Sequence, residues 1–334
     1  MVDRRWGVLR RSGRVGVRRG ELERRRGGRP GRGAALSAPD TLCLPPGVQR
    51  TVVAGLAALA TVGGGLGQPV VLIPGFTGSK EDFLPVLAPL AVAGYRAVAI
   101  DQRGQYESPA DDDPASYSVA ALAADARAVL DAVGAGFRGT HLVGHSFGGL
   151  VARGAALQSP AGIASLTLLG SGPAALGGPR GAHLQAMRTV LDRGGVPAVW
   201  AATEALSALD HRKALLPADV QTFLRTRFLA QRPLALRAMG DALLDEPDRV
   251  AQLRAVGLPM LVAHGEGDDA WSPAEQRDMA ERLGARYASI PGALHSPAAE
   301  APGATVAVLV AFWATLDRPH RAGPAEAAEA TAGA

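Results

Sequence analysis

The residues best suited to covalent chemistry lie in Gly144-His145-Ser146-Phe147-Gly148. Their spacing is G-x-S-x-G. An apolar run, His141–Gly144, precedes them, and a helical pattern over 147–157 follows, the strand–turn–helix setting such a serine needs. The turn is sharp and strained, so the residues flanking the serine must lack bulk, and Gly144 and Gly148 do. Gly148 and Gly149 also let the helix pack close to the strand. The hydroxyl then projects from the sheet beside the positive end of a helix dipole. The chemistry this predicts is nucleophilic attack on a carbonyl carbon.

A serine hydroxyl is a weak nucleophile and needs a base. Seven histidines are available. His141 lies inside a strand, and His145 sits in the turn and is expected to point elsewhere. His183 and His211 fall in a long helical stretch, His264 ends a strand, and His320 lies in the C-terminal tail. His295, on the loop Ile290–Pro297 after the last strand, satisfies the chain order Ser…Asp…His. The third member should follow a strand and precede that histidine, where it orients the ring and stabilises its charged form. The loop His264–Pro273 offers Glu266, Asp268 and Asp269. Asp268 fits best, Asp269 is the reserve, and Glu266 is read as structural. Acyl transfer also needs backbone N–H donors for the oxyanion. Phe147, after the serine, and Phe76, in Pro74–Ser79, are the candidates.

The elements that must position these residues follow from periodicity. Val48–Ala54 and Leu56–Val62 read as two short strands, with Gly63–Gly67 as a turn. Val70–Ile73, Arg96–Ile100, His141–Gly144, Leu166–Leu169, Met260–Ala263 and Tyr287–Ile290 read as buried strands. Helices are predicted from Leu84, where Pro85 fits only a first turn, and over 118–133, 147–157 and 303–316. Such alternation predicts a mostly parallel central sheet with helices on both faces. Residues 174–255 break it. They hold helical patterns at Leu184–Leu191, Ala198–Leu209, Val220–Leu229 and Leu234–Leu244 and no convincing strand. The expected organisation is a core of 47–173 and 256–317 with an inserted helical cap over 174–255. Trp200, Phe223 and Phe228 are read as core of that cap.

Four motifs occur in order: Pro74–Ser79 (PGFTGS), Ala99–Ser108 (AIDQRGQYES), the GHSFGG turn, and the GEGD…His295 pair. In these the chain resembles the α/β-hydrolases, in the large capped branch that includes esterases, lactonases, C–C hydrolases and proline iminopeptidases. The resemblance covers roughly residues 48–317. It implies a serine hydrolase with no cofactor and no metal, acting on a small-molecule acyl substrate. A small or medium carboxylic ester is the default. A thioesterase, lactonase, C–C hydrolase, aminopeptidase or acyltransferase would use the same triad, and a non-catalytic binding protein on this fold is the rival of another class. Family members that act on epoxides or haloalkanes use an aspartate where this chain has Ser146. The chain departs from the family pattern twice. Pro74 replaces the usual histidine before Gly75, and Tyr106 replaces a glycine, which predicts a bulkier loop there.

Composition bounds the remaining classes. The 334 residues are 47% hydrophobic and 20% charged, enough for a full core without staples. A single cysteine, Cys43, excludes an internal disulfide and multi-cysteine metal sites and fits a reducing, cytoplasmic setting. No apolar run reaches the roughly 18 residues of a membrane span. The net charge of +4 is uneven. Residues 1–32 hold twelve arginines against Asp3, Glu21 and Glu23, a net of +9, so the remainder carries −5. A body of that sign is unsuited to nucleic acid. Residues 1–46, rich in Arg, Gly and Pro, and the tail 318–334 are expected to be disordered. Three readings of the first compete: an anion-binding tail, an export leader, or an extension from too early a start codon, with the extension or a functionless tail favoured. Gly63–Gly67 lacks the third glycine of a dinucleotide loop, and Gly75–Lys80 lacks the glycine of a phosphate loop.

Overall fold

The computed structural model describes residues 38–62, 67–207 and 215–316. Strands β1 (Val48–Val53) and β2 (Leu56–Thr61) form an antiparallel hairpin. Ala54 and Gly55, both at positive φ (48° and 81°), close it, as a two-residue hairpin turn demands. Six strands follow: β3 (Gln68–Ile73), β4 (Tyr95–Ile100), β5 (Thr140–His145), β6 (Ile163–Leu169), β7 (Met260–Gly265) and β8 (Arg286–Ile290). The sheet order is β1-β2-β4-β3-β5-β6-β7-β8. β2 joins β4 antiparallel, and every pairing from β4 to β8 is parallel.

Strand alternation sorts the core into two faces. Val70, Leu72, Ala97 and Val143 point to one. It is covered by α1 (Leu84–Val92) and the closing helix α9 (Pro302–Trp313), through Leu84, Leu87, Leu309 and Trp313. Val71, Ile73, Leu142 and Leu166 point to the other. There α2 (Val119–Gly134), α3 (Phe147–Gln158) and α8 (Pro273–Leu283) cover them. Each such Leu or Val contributes roughly 1.5–3 kcal/mol by burial. The chain leaves β3 toward β4 on one side and returns to β5 on the other, so order reverses between β3 and β5. Ligands of open parallel sheets bind beyond the carboxyl ends of the strands at such a point. Pro74–Ser79 and Ser146 both lie there.

Between β6 and β7 the chain inserts α4 (Gly178–Ser207), α5 (Ala218–Leu229), α6 (Pro233–Asp245) and α7 (Val250–Ala255). The two patterns expected at Leu184–Leu191 and Ala198–Leu209 form one helix broken at Gly195, whose φ is 68°. Its predicted end, 208–209, lies outside the described residues, as does the predicted turn over 63–66. The insertion has its own cluster, centred on Trp200, Phe223, Leu224 and Phe228. α7 does not belong to it. Val250 and Leu253 bury with Met279 and Leu283 of α8, so the sheet layer resumes at Val250 rather than at 256. Residues 38–46, within the segment expected to be disordered, are placed, with Ala38 and Leu42 against the insertion cluster. Apolar contact holds that short stretch, whereas 1–37 and 317–334 lie outside the described residues. Among the described residues no helix is long and apolar enough to cross a membrane.

Arg153 on α3 clamps both ends of the insertion. Its Nη1 donates to the Pro173 carbonyl at 2.5 Å and its Nη2 to Glu246 at 2.9 Å. Arg153 and Glu246 are both buried. Removing one partner of such a pair strands the other charge, at a cost of about 3–5 kcal/mol. Glu246 keeps a half-exposed partner, Arg249, at 3.3 Å, so Arg153→Met is expected to lower unfolding free energy by less than that full amount. Adding Glu246→Gln should restore part of it. Urea unfolding of the two single variants and the double variant reads the coupling, and strictly additive losses would contradict the clamp.

Candidate active site

Ser146 lies at φ 53° and ψ −120°, a conformation that costs a non-glycine residue about 1–3 kcal/mol. Its N–H is held by the Leu169 carbonyl at 2.9 Å. The flanking glycines are sterically required. A Cβ on Gly144 would lie 2.2 Å from the Gly148 carbonyl oxygen, and one on Gly148 would lie 2.4 Å from that of Ile73.

The loops after β7 and β8 bring the other two predicted residues to this serine. His295 Nε2 lies 3.0 Å from Ser146 Oγ, and its Nδ1 lies 2.9 Å from Asp268 Oδ1. Asp268 also accepts from the Ala270 N–H at 3.0 Å and from Gln276 Nε2 at 2.9 Å. Burial alone would raise its carboxyl, but the neighbouring His295 ring and these hydrogen bonds outweigh it and hold the group below the usual range. Asp269, the reserve, turns the other way and pairs with Arg180 of α4 at 2.6 Å. Glu266 is exposed.

His145 is engaged elsewhere than at the Ser146 hydroxyl, and its ring bears on the backbone of His295. Its Nε2 lies 2.7 Å from the His295 carbonyl oxygen, and the two rings are 5.1 Å apart. A carbonyl accepts, so Nε2 carries the proton. Burial, aided by His295, lowers its pKa to about 4. The ring is thus a neutral donor that fixes the backbone of His295. Motif spacing shows that a residue is in the turn but not which way its ring swings.

Both predicted oxyanion donors lie beside Ser146. Phe147 opens α3, so its N–H is among those a helix cannot satisfy internally. Phe76 sits in the Gly75–Gly78 turn, closed by the Gly78 N–H to the Gly75 carbonyl at 3.1 Å. That loop presses on Ser146, since a Cβ on Gly75 would lie 3.1 Å from Ser146 Cβ. Sequence reasoning missed what aims it. Buried Gln102 and Gln105 donate to the carbonyls of Pro74 and Gly75, each at 2.9 Å. The Gly75 C=O and the Phe76 N–H belong to one trans peptide plane, so fixing the first points the second the opposite way. Both glutamines lie in the quoted DQRGQYES motif, which was read only as a resemblance. Tyr106 in that motif, at φ 34°, takes a glycine-like conformation and packs edge-on against Phe223 of α5 at 5.6 Å. The substitution thus braces the insertion.

A cavity opens over Ser146 and His295, with Leu184, Met187, Phe228 and Leu243 among its walls. Phe228, read as cap core, serves both the insertion cluster and this wall. Asp82, Arg180 and His183 also line it. Asp82 bonds Arg227 of α5 at 2.5 Å, with both side chains buried.

Sheet, strand order, serine turn and inserted helices define an α/β-hydrolase. Residues 68–302 match the alpha/beta hydrolase fold family, and the chain belongs to it. Among its relatives is a protein of Variovorax paradoxus named putative carbamate hydrolase RutD, 36% identical over 226 residues, 62% of this chain and 76% of the relative. A protein of the same name from Stutzerimonas stutzeri is 33% identical over 41% of this chain and 49% of its own length. Among solved structures, the enol-lactonase of Burkholderia xenovorans matches with TM-score 0.65 and 22% identity, over 80% of this chain and all (100%) of that one. A thermophilic esterase of Thermogutta terrifontis matches with TM-score 0.65 and 23% identity, over 81% and 100%. Both show the shared fold.

A histidine held neutral in the fold but protonated when unfolded contributes stability that is full above pH ~6.5 and is lost as pH falls toward ~4. His145→Gln keeps a donor and removes the titration. Its melting temperature is expected to fall less than that of the parent between pH 7 and pH 4.5, as read by circular dichroism. Parallel curves would show that His145 is not held neutral.

Proposed function

We propose that the protein is a serine hydrolase that cleaves a small or medium carboxylic ester through an acyl-enzyme on Ser146. The observation that carries this reading is the unbroken chain of hydrogen bonds from Ser146 through His295 to Asp268. His295 Nε2 takes the hydroxyl proton as Ser146 Oγ attacks the carbonyl carbon. The carbonyl electron pair moves to the oxygen, held by the Phe76 and Phe147 N–H groups. Collapse expels the alcohol, which leaves with the proton from His295. Water then attacks the acyl group, His295 takes its proton, and the acid departs as Ser146 recovers its hydrogen. Asp268 stabilises the imidazolium at both stages.

The insertion acts as a cap, and its apolar wall suits an acyl chain. A carbamic acyl group on the same triad is the second reading, favoured by the name of the Variovorax paradoxus relative at 36% identity. A panel of matched esters, lactones and carbamates separates the two.

A fluorophosphonate probe should add once to the parent, by intact mass, and not to Ser146→Ala, which should also lose nearly all turnover. Retained turnover in that variant would overturn the mechanism. Asp268→Asn should cost about ten thousand-fold in kcat, as in other triads that lose their acid. Asp269→Asn should cost far less, and the reverse order would make Asp269 the orienting group.

A further inference from the structure

The charged groups lining the cavity differ in how fully they are satisfied. Asp82 is matched by Arg227, and Arg227 also donates to Ser79 at 3.2 Å. Among the described residues Arg180 is held at one nitrogen, Nη2 by Asp269 at 2.6 Å. Its Nε is buried and has no partner among the described residues. A buried donor without an acceptor is costly, so this nitrogen gains an acceptor when the Asp269 pair exchanges and the guanidinium turns toward a ligand in the cavity. The Asp269 side chain is 34% exposed, and exposed ion pairs of this kind are weak and easily exchanged. His183 stands one helical turn from Arg180, on the same face of α4, and lines the same cavity. Burial and the charge of Arg180 hold its ring toward the neutral form, in which one ring nitrogen still donates.

We propose that Arg180, with His183 beside it, forms a carboxylate subsite of the acyl pocket, so that the protein selects acyl substrates bearing a second, anionic group. A carboxylate offers two oxygens to the Nε–Nη2 edge of a guanidinium, the geometry that arginine recognises best. It would satisfy the orphan Nε and share or displace Asp269 at Nη2. The apolar walls at Leu184 and Met187 carry the chain between that group and the scissile carbonyl. This subsite rests on Ser146 being the nucleophile.

Two esters with equal acyl length provide the test: monomethyl adipate, which ends in a carboxylate, and methyl hexanoate, which ends in a methyl. Methanol release gives kcat/KM for each on the full chain. The parent is expected to favour monomethyl adipate. Arg180→Met should shrink that preference by about 10- to 100-fold, the worth of a hydrogen bond to a charged group, and mainly through KM. Arg180→Lys should restore part of it. If Arg180 only latched the insertion to the core, both esters would suffer alike and the ratio would not move. An unmoved ratio would overturn the subsite, as would a parent that prefers methyl hexanoate. Turnover of methyl hexanoate that Ser146→Ala abolishes keeps the ester reading whichever way the ratio falls. If neither ester is cleaved, adipate should still slow fluorophosphonate labelling of Ser146 more than 1,6-hexanediol does, and lose that advantage in Arg180→Met. Equal protection by the two would overturn the proposal.

Discussion

The architecture turns on one strained residue. Ser146 takes a backbone conformation that non-glycine residues avoid, and it is held there because β5 and α3 meet with no side chains between them. Gly144 and Gly148 make that approach possible, since either Cβ would enter a backbone carbonyl. The strain, about 1–3 kcal/mol, is small beside the burial of β5, every residue of which is enclosed. Its consequences spread outward. The close approach of α3 brings the helix N-terminus to Ser146. The buried turn leaves little room at 75, where a Cβ would lie 3.1 Å from that of Ser146 and the opposing loop must pass. Through the carbonyl of that glycine, Gln105 aims the Phe76 N–H.

What could be read from the sequence was what depends on spacing along one segment. Val70–Ile73 and His141–Gly144 are continuous apolar runs, and such runs are strands buried on both faces. The G-x-S-x-G turn and the order of Asp268 and His295 after it needed no knowledge of packing. What was missed depends on the direction of a side chain across the fold. Asp268 and Asp269 are neighbours in one loop, yet one faces His295 and the other faces α4. The turn closed by the Asp268 N–H to the Gly265 carbonyl, 3.0 Å, sets that difference, and no periodicity records it. His145, Gln102, Gln105 and Arg153 were passed over for the same reason. Each is a polar side chain whose partner is a backbone carbonyl twenty or more residues away, except where Arg153 also meets Glu246. Such partners obey no helical or strand period.

The end of the insertion is hard to place from sequence for a related reason. α7 has the composition of the helices before it, and only contact shows that Val250 and Leu253 lie under the sheet. The clamp explains why the boundary falls earlier. Arg153 holds Glu246, and Trp271, next to the Asp268 loop, donates to the Ala174 carbonyl at 3.2 Å. The two connections are thus fixed to the layer that carries Ser146 and Asp268. Between them, α4 and α5 pack a cluster of their own with Leu236 of α6, while Leu184, Ala235, Met239 and Leu243 join the sheet core.

That division bears on where specificity can reside. The groups around the serine are over-determined: each has a hydrogen-bonded neighbour, and the glycines admit no larger residue. Beside the Arg153 clamp, two ion pairs of opposite character join the insertion to the loops around the cavity. Asp82 and Arg227 are both buried, so breaking the pair would leave a charge in a medium that cannot solvate it. Arg180 and Asp269 are partly exposed, where water and salt can take over for either partner. The first pair can therefore keep α5 in place while the second responds to what enters the cavity. An insertion anchored at one point and adjustable at another can change its ligand without disturbing Ser146, His295 or Asp268. The residues free to vary in such a fold are those on the adjustable side, which is where Arg180 and His183 stand.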